Sequence, residues 1–383
     1  MGNRTKRIFI SDIHMGDDKS MSTPNPYGWF KYNISVLAQF LDDQLNAPDV
    51  KEVVILGDLF DMWVQPVNYD PLTSFANICS NPANKKVVDK LKALAATPDI
   101  KLAYVPGNHD MGMNVAGISA TKQFMETTFP GIRFFCNSSV PWGSYTVGAL
   151  AAEHGNHYCL FNAPDMWTAK DTFLPLGYFI SRIVAYKVSQ TGTSENYYDI
   201  LVQFRKDSME QPNFVRSMFD AIAKDAGLNP GDSIDVNGVP GYPAAITVDT
   251  VGKRFSNLTQ NWTNTPGNIN LAAATVGDLE NLSCAASLAY FDHFGSNTNI
   301  VIFGHTHIPI LDPRELDPRA DPAAHASNDP WNYIYANCGT WVDGSKDGCT
   351  YVETEEDANA GRHYVRLKSY PSKTVFREGF VRL

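Results

Sequence analysis

Arg7-Ile8-Phe9-Ile10-Ser11, running straight into Asp12-Ile13-His14, is the stretch that decides how the rest of the chain is read. Its apolar centre is β-branched and aromatic with no polar alternation, the pattern of a short strand buried on both faces. Val53-Val54-Ile55-Leu56 repeats the pattern and ends in Gly57-Asp58. Between the two runs Ile34, Leu37, Ala38, Phe40, Leu41 and Leu45 recur at helical spacing, which makes the unit strand, helix, strand. Val87, Val88, Leu91, Leu94 and Ala95 predict a second helix, and Lys101-Leu102-Ala103-Tyr104-Val105 a third strand stopping at Pro106-Gly107. The N-terminal part is thus an α/β alternation with polar residues at the strand ends.

Farther along the chain strand signals dominate, at residues 132–136, 145–151, 299–303, 333–337, 350–353 and 364–368. Six strands with short connections predict a second sheet facing the first. Between Ala163 and about Phe291 helical runs replace them, including 176–186 and 215–222. The expected organisation is therefore a core of residues 1–162 and 292–383 interrupted by a mainly helical cap, 163–291. Within the cap, residues 229–243 and 261–270 are rich in Gly, Pro and Asn and read as loops. Residues 312–330 read as a surface loop at the rim of the pocket.

Composition sets the bounds. With 383 residues, 44% hydrophobic and 19% charged, the chain has the balance of a globular protein with a large core. A net charge of −10 argues against tracking extended nucleic acid, whose affinity comes mainly from phosphate neutralisation. The six cysteines form no Cys-x-x-Cys pair and are read as reduced and mostly buried. No apolar signal segment precedes the first strand and no stretch is long enough to span a bilayer, so a cytoplasmic location is expected, with peripheral membrane association left open.

Five short motifs follow one another where apolar runs end: Asp12-Ile13-His14, Gly57-Asp58-Leu59-Phe60-Asp61, Gly107-Asn108-His109-Asp110, Glu153-His154-Gly155-Asn156 and Gly304-His305-Thr306-His307. Imidazole and carboxylate suit first-row divalent metals, and the Asn108 amide oxygen suits a fairly hard cation. In an extended strand end, alternation points Asp12 and His14 the same way, and likewise His305 and His307. Two cations roughly 3.5 to 4 Å apart need a shared anionic ligand, for which Asp58 is the natural bridge. Such a pair lowers the pKa of water and grips phosphoryl oxygens, which fits in-line attack of a metal-bridging hydroxide at phosphorus.

These motifs resemble those of the calcineurin-like metallophosphoesterases, whose pattern runs Asp-x-His, Gly-Asp-x-x-Asp, Gly-Asn-His-Asp or -Glu, His, Gly-His-x-His. The resemblance covers about residues 8–161 and 300–343 and leaves the cap out. It implies an α/β fold, a four-layer α/β/β/α sandwich, and hydrolysis of a phosphomonoester, phosphodiester or pyrophosphate bond. It assigns Asp12, His14 and His307 to one metal, Asn108, His154 and His305 to the other, and Asp58 to both. It places His109 beside the metals, stabilising developing charge or protonating the leaving oxygen. Asp110 is expected to orient the His109 ring, and Asp61 to hold a ligand histidine or the local turn. Manganese is the first cation expected, with iron, zinc, cobalt and nickel as alternatives. The substrate expected is a small or amphiphilic phosphate ester chosen by the cap.

A narrower resemblance, carried by Ser11-Asp12-Ile13-His14, Gly57-Asp58-Leu59-Phe60-Asp61-Met62-Trp63 and Gly304-His305-Thr306-His307-Ile308-Pro309, is to the branch containing UDP-2,3-diacylglucosamine pyrophosphatases. Those enzymes typically carry arginine where this chain has His109, and a smaller lid. A non-catalytic scaffold of the same fold and a nuclease are the competing classes; filled ligand positions weigh against the first and the acidic balance against the second. Among the remaining residues, His157 is read first as structural, His293 as packed before a strand, and His325 and His363 as surface. Asn337-Cys338-Gly339-Thr340-Trp341 is read equally as a metal-site neighbour or a glycine turn. Arg182, Lys187, Arg205, Lys206 and Arg216 are read as mostly solvated, with one or two able to hold a second phosphate. The apolar stripe of the cap helix is read as cap core rather than lipid groove.

Overall fold

The structure, a computed structural model, describes residues 4–71, 73–110, 115–137, 140, 142–167, 174–193, 213–239, 241–277, 282–292, 297–314 and 329–383. His293, His325, Arg205 and Lys206 lie outside the described residues. In chain order the strands are β1 (Lys6–Ile10), β2 (Val50–Leu56), β3 (Lys101–Val105), β4 (Arg133–Phe134), β5 (Tyr145–Val147), β6 (Leu150–Ala152), β7 (Ser233–Asp235), β8 (Ala245–Thr247), β9 (Ile300–Phe303), β10 (Pro309–Arg314), β11 (Tyr333–Cys338), β12 (Thr350–Asp357), β13 (Arg362–Ser369) and β14 (Val375–Arg382).

Seven of them form one sheet in the order β14-β13-β12-β1-β2-β3-β4, and five a second, β10-β11-β9-β6-β5. The expectation that strands after residue 132 build only the second sheet is corrected here: β4 adds to the edge beside β3, and β12 pairs antiparallel with β1. Hydrophobic pattern alone does not say which sheet a buried strand joins. Residues 312–314, expected as loop, extend β10 because they pair with Tyr333 to Tyr335. In the cap, β7 and β8 form a small antiparallel ribbon, its first strand lying in the stretch expected as loop.

Each central strand is buried on both sides, as its sequence requires. In β1, Ile8 and Ile10 pack outward against the helices Ile34–Asn46 and Lys85–Ala96, while Phe9 faces the other sheet. Val53 and Ile55 of β2 and Leu102 and Tyr104 of β3 repeat the outward face, with Val54, Leu56, Ala103 and Val105 inward. The second sheet answers with Ile300 and Ile302 inward and Val301 and Phe303 outward against Leu282, Ala285, Ala286 and Phe291. The result is a four-layer sandwich of helices, two sheets and helices. Residues of the 282–291 stretch, expected within the cap, pack on the outer face of the second sheet.

The cap is built on the helices Leu176–Thr191 and Phe214–Asp225, whose apolar residues pack on one another around Phe179 and also cover Trp63 and Val67. Arg182, expected on the polar side of its helix, is instead fully buried. Its guanidinium donates to the carbonyls of Gln65 (3.1 Å), Pro66 (2.9 Å), Tyr69 (2.7 Å) and Asp235. A planar group with five donors can reach several carbonyls of one turn at once. Lys187 pairs with Asp225 and Arg216 with Asp220 and Asp249, all within the cap. His363, expected on the surface, is 5% exposed on β13. None of the six cysteines is in a disulfide, and Cys159 and Cys338 are buried, fewer than expected. Among the described residues no helix is long and apolar enough to cross a membrane.

Candidate metal centre

All five motifs fall just past strand ends on one edge of the sandwich: Asp12 after β1, Asp58 after β2, Asn108 after β3, His154 after β6 and His305 after β9. Backbone bonds stitch these loops together. The amides of Ile13 and His14 donate to the Asp58 carbonyl, Met62 to the His109 carbonyl, and Gly304 to the His154 carbonyl.

Asp12, His14, Asp58, His305 and His307 all take left-handed backbone conformations, with φ of 54°, 57°, 51°, 72° and 60°. The region is uncommon for residues with a Cβ, and such strain gathers where surrounding structure enforces it. This corrects the expectation from extended strand ends. Asp12 and His14 face the same site because two left-handed residues flank the buried Ile13, not because an extended strand alternates. The glycines of the motifs answer to crowding: a Cβ on Gly107 would lie 2.1 Å from Asp58 Oδ1, and one on Gly57 2.5 Å from His154 Nδ1.

Two groups of donors result. In the first, His14 Nε2 lies 3.1 Å from His307 Nε2, and Asp12 Oδ1 is 3.3 Å from the same His307 nitrogen. In the second, His154 Nε2 lies 2.9 Å from Asn108 Oδ1 and 3.2 Å from Asp58 Oδ2, with His305 nearby. Asp58 Oδ2 is also 3.6 Å from His14 Nε2, so one oxygen adjoins both groups, while Oδ1 accepts the His109 amide at 2.8 Å. Ligand atoms about 2.1 Å from a metal and at right angles to one another are about 3 Å apart. The separations within each group fit that requirement. His154 Nδ1 donates to the Leu56 carbonyl at 2.7 Å, which fixes the tautomer and turns the Nε2 lone pair toward Asp58 and Asn108. These residues therefore suit two divalent cations.

The centre is deep: Asp12, His14, Asp58, Asn108 and His154 are buried, and His307 alone among the first group is partly open. Burial by itself would raise both aspartates, but His307 beside Asp12 and His154 beside Asp58 outweigh it and hold both carboxyls below their ordinary range. Burial lowers His14, helped by the charge of His109. Burial opposes the charged form of His154 too, yet Asp58 and Asp12 raise it to about 9. The same negative field that favours a proton there favours a cation, and the two compete.

His109 is 5% exposed and lies between indoles, 4.7 Å from the Trp63 ring and 5.3 Å from that of Trp29. Its Nδ1 is 3.0 Å from Asp61 Oδ1, and Asp61 Oδ2 is 3.4 Å from His14 Nδ1. The expected orienting role of Asp110 is thereby corrected. The Asp110 carboxylate is turned away from the ring and accepts the amides of Phe60 (2.7 Å), Gly107 (3.1 Å) and Leu59 (3.3 Å), bracing the two loops. Burial and the neighbouring Asp58 raise it to about 7. Against burial, Asp61 and Asp58 raise His109.

His157 stacks on Trp142, with ring centroids 5.1 Å apart, and sits 3.4 Å from Glu153, outside both donor groups. Asn337 does serve the site's frame, donating to the Gly304 carbonyl at 2.6 Å, while Thr340 Oγ1 donates to the Asp12 carbonyl at 2.9 Å. Trp29 escaped the sequence reading. It lies in a loop with no motif, and nothing in the local pattern marks it.

A family model for the calcineurin-like phosphoesterases matches residues 5–309. The chain belongs to that family. Its donor groups could hold metal ions. No curated protein matches the chain. Among solved structures, this chain is similar to purple acid phosphatase PPD1 from yellow lupin (Lupinus luteus) seeds, at 11% identity over 99% of this chain and 53% of that one, TM-score 0.39. It is similar also to a predicted phosphoesterase from Streptococcus pneumoniae TIGR4, at 10% identity over 100% of both chains, TM-score 0.29. GAP50, the anchor in the inner membrane complex of Plasmodium, matches at 11% identity over 100% of this chain and 90% of that one, TM-score 0.32. The phosphoesterase spans about half the length of the lupin protein, and its family assignment rests on the match to the family model.

Proposed function

We propose that this phosphoesterase hydrolyses a small phosphate ester or anhydride with two divalent cations. Asp12, His14 and His307 would hold one cation and Asn108, His154 and His305 the other, with Asp58 shared. The observation that carries the reading is the single oxygen of Asp58 adjoining both donor groups. Bound cations supply Lewis acidity toward phosphoryl oxygens and a water acidic enough to attack near neutral pH.

The remaining chemistry belongs to the chain. His109, raised by Asp61 and Asp58 and oriented through Nδ1, carries the proton for a departing oxygen or meets the charge that develops on it. Trp63 and Trp29 flank its ring and keep bulk water from it. The cap, anchored on the loop after the second motif by Arg182, selects the substrate.

The finer resemblance to UDP-2,3-diacylglucosamine pyrophosphatases rests on motifs alone and includes the His109 departure. A screen of the manganese-reconstituted protein across aryl phosphates, phosphodiesters, nucleotides and nucleotide-linked lipids tests both levels. Turnover of any class supports the hydrolase and names its substrate; none across the panel overturns it. Manganese as the native cation and a cytoplasmic setting belong to the same proposal.

A further inference from the structure

Beside the metal centre, and sharing His307 with it, lies a cavity of about 470 Å³ lined also by Trp29, Lys31, Tyr32 and Asp343. The volume falls in the range of small-molecule pockets. Trp29 spans the histidines behind it: its ring is 4.8 Å from that of His14, 5.3 Å from that of His109 and 6.1 Å from that of His307. Tyr32 stands at the outer side, 78% exposed, with Lys31 Nζ 5.6 Å from its ring centroid.

This wall is rigidly built. The Asp343 carboxylate accepts the amides of Lys31, Tyr32 (2.8 Å) and Asn33 (2.9 Å), and the Asp343 amide donates to the Trp29 carbonyl at 2.8 Å. Asn33 Nδ2 donates to the Trp341 carbonyl at 3.0 Å. The Tyr32 ring itself, being mostly exposed, adds little apolar burial to the fold. Asp343 keeps its negative charge while bonded to three amides, and Lys31 adds an ammonium to the same lining.

We propose that Trp29 and Tyr32, with Lys31 at the rim, form a subsite for a planar aromatic ring carried by the substrate phosphate. A phosphoryl group at the metals has this cavity as the space adjoining its substituent, because His307 belongs to both. The ring stacks on the aromatic wall, with the Lys31 ammonium at its outer edge. An aryl ester and a nucleoside phosphate share this chemistry. The inference rests on the phosphoesterase reading above and adds a substrate class to it.

Binding of uncleavable phosphonates to the manganese-loaded full chain, measured by calorimetry, tests it without turnover. Phenylphosphonate or a nucleoside 5′-phosphonate should bind about tenfold tighter than methylphosphonate, the lower end of what ring stacking supplies. The tighter of the two aromatic ligands identifies the source of the ring. Tyr32→Ala should collapse the preference to within about threefold, and Tyr32→Phe should retain it. Equal binding of all three phosphonates, or a preference that survives Tyr32→Ala, overturns the subsite while leaving the metal centre standing. Failure of every phosphonate to bind overturns both.

Discussion

His109 and Asp58 divide the work of the centre, and their replacement should separate chemistry from metal binding. Replacing His109 by Ala should lower kcat by about 10²-fold to 10⁴-fold, the usual worth of a positioned acid, with two cations per chain still found by elemental analysis. His14, Asp58 and His109 also lie close enough to share an ion. Metal lost along with His109 would therefore reassign it as a ligand. Asp58→Ala should abolish tight binding of both cations at once, because one oxygen adjoins both groups. Loss of one cation alone would contradict the shared role. At Gly107 the crowding against Asp58 is severe enough that Gly107→Ala should reduce metal affinity about 10-fold to 100-fold, as other disturbances of ligand support do. Metal titration of the folded variant measures it.

At the scale of elements, the loop Gln65–Tyr69 depends on a cation from the cap. Arg182→Met keeps the apolar stem but strands several buried carbonyls, which should cost about 3 kcal/mol or more. Denaturant midpoints measure that loss; a change below about 0.5 kcal/mol would show the loop is held otherwise. The same element shows where sequence reading stops. Strand and helix positions near β1, β2 and β3 were legible because burial on both faces writes an unbroken apolar run. The five motifs were legible because their residue types are narrow and their order is fixed. Asp110 and Arg182 were misread for one reason: a buried polar side chain that serves backbone amides or carbonyls leaves no trace in spacing. Trp29 and Asp343 meet only in space, and the pairing of β12 with β1 depends on tertiary order that no local pattern carries.

For the molecule as a whole, acid stability should report on His363. Its ring is buried with Nε2 unpartnered, and burial, with Arg7 and Lys51 adding to it, lowers its pKa from 6.5 to about 4. Between those values the unfolded chain binds the proton that the folded one refuses. The contribution is therefore present above pH 6.5 and lost as pH falls toward 4, by ~3 kcal/mol at most. His363→Leu should remove that part of the pH dependence, and parallel unfolding curves of both proteins across the window would refute it.

Arg7 of β1 bonds to Glu356 of β12 across 349 positions of sequence, and the amide of Trp341 closes on the Asp12 carbonyl. Synthesis is directional, at about 5–20 residues per second. The first ligand thus waits tens of seconds for the strand and the loop that complete its surroundings. The amides of Ile13 and His14 reach the Asp58 carbonyl early, but the Asp12 carbonyl gains the Trp341 amide only after more than 300 further residues have followed. A chain interrupted between residues 308 and 340 would carry all seven donors yet lack the strand and the loop that brace the first of them.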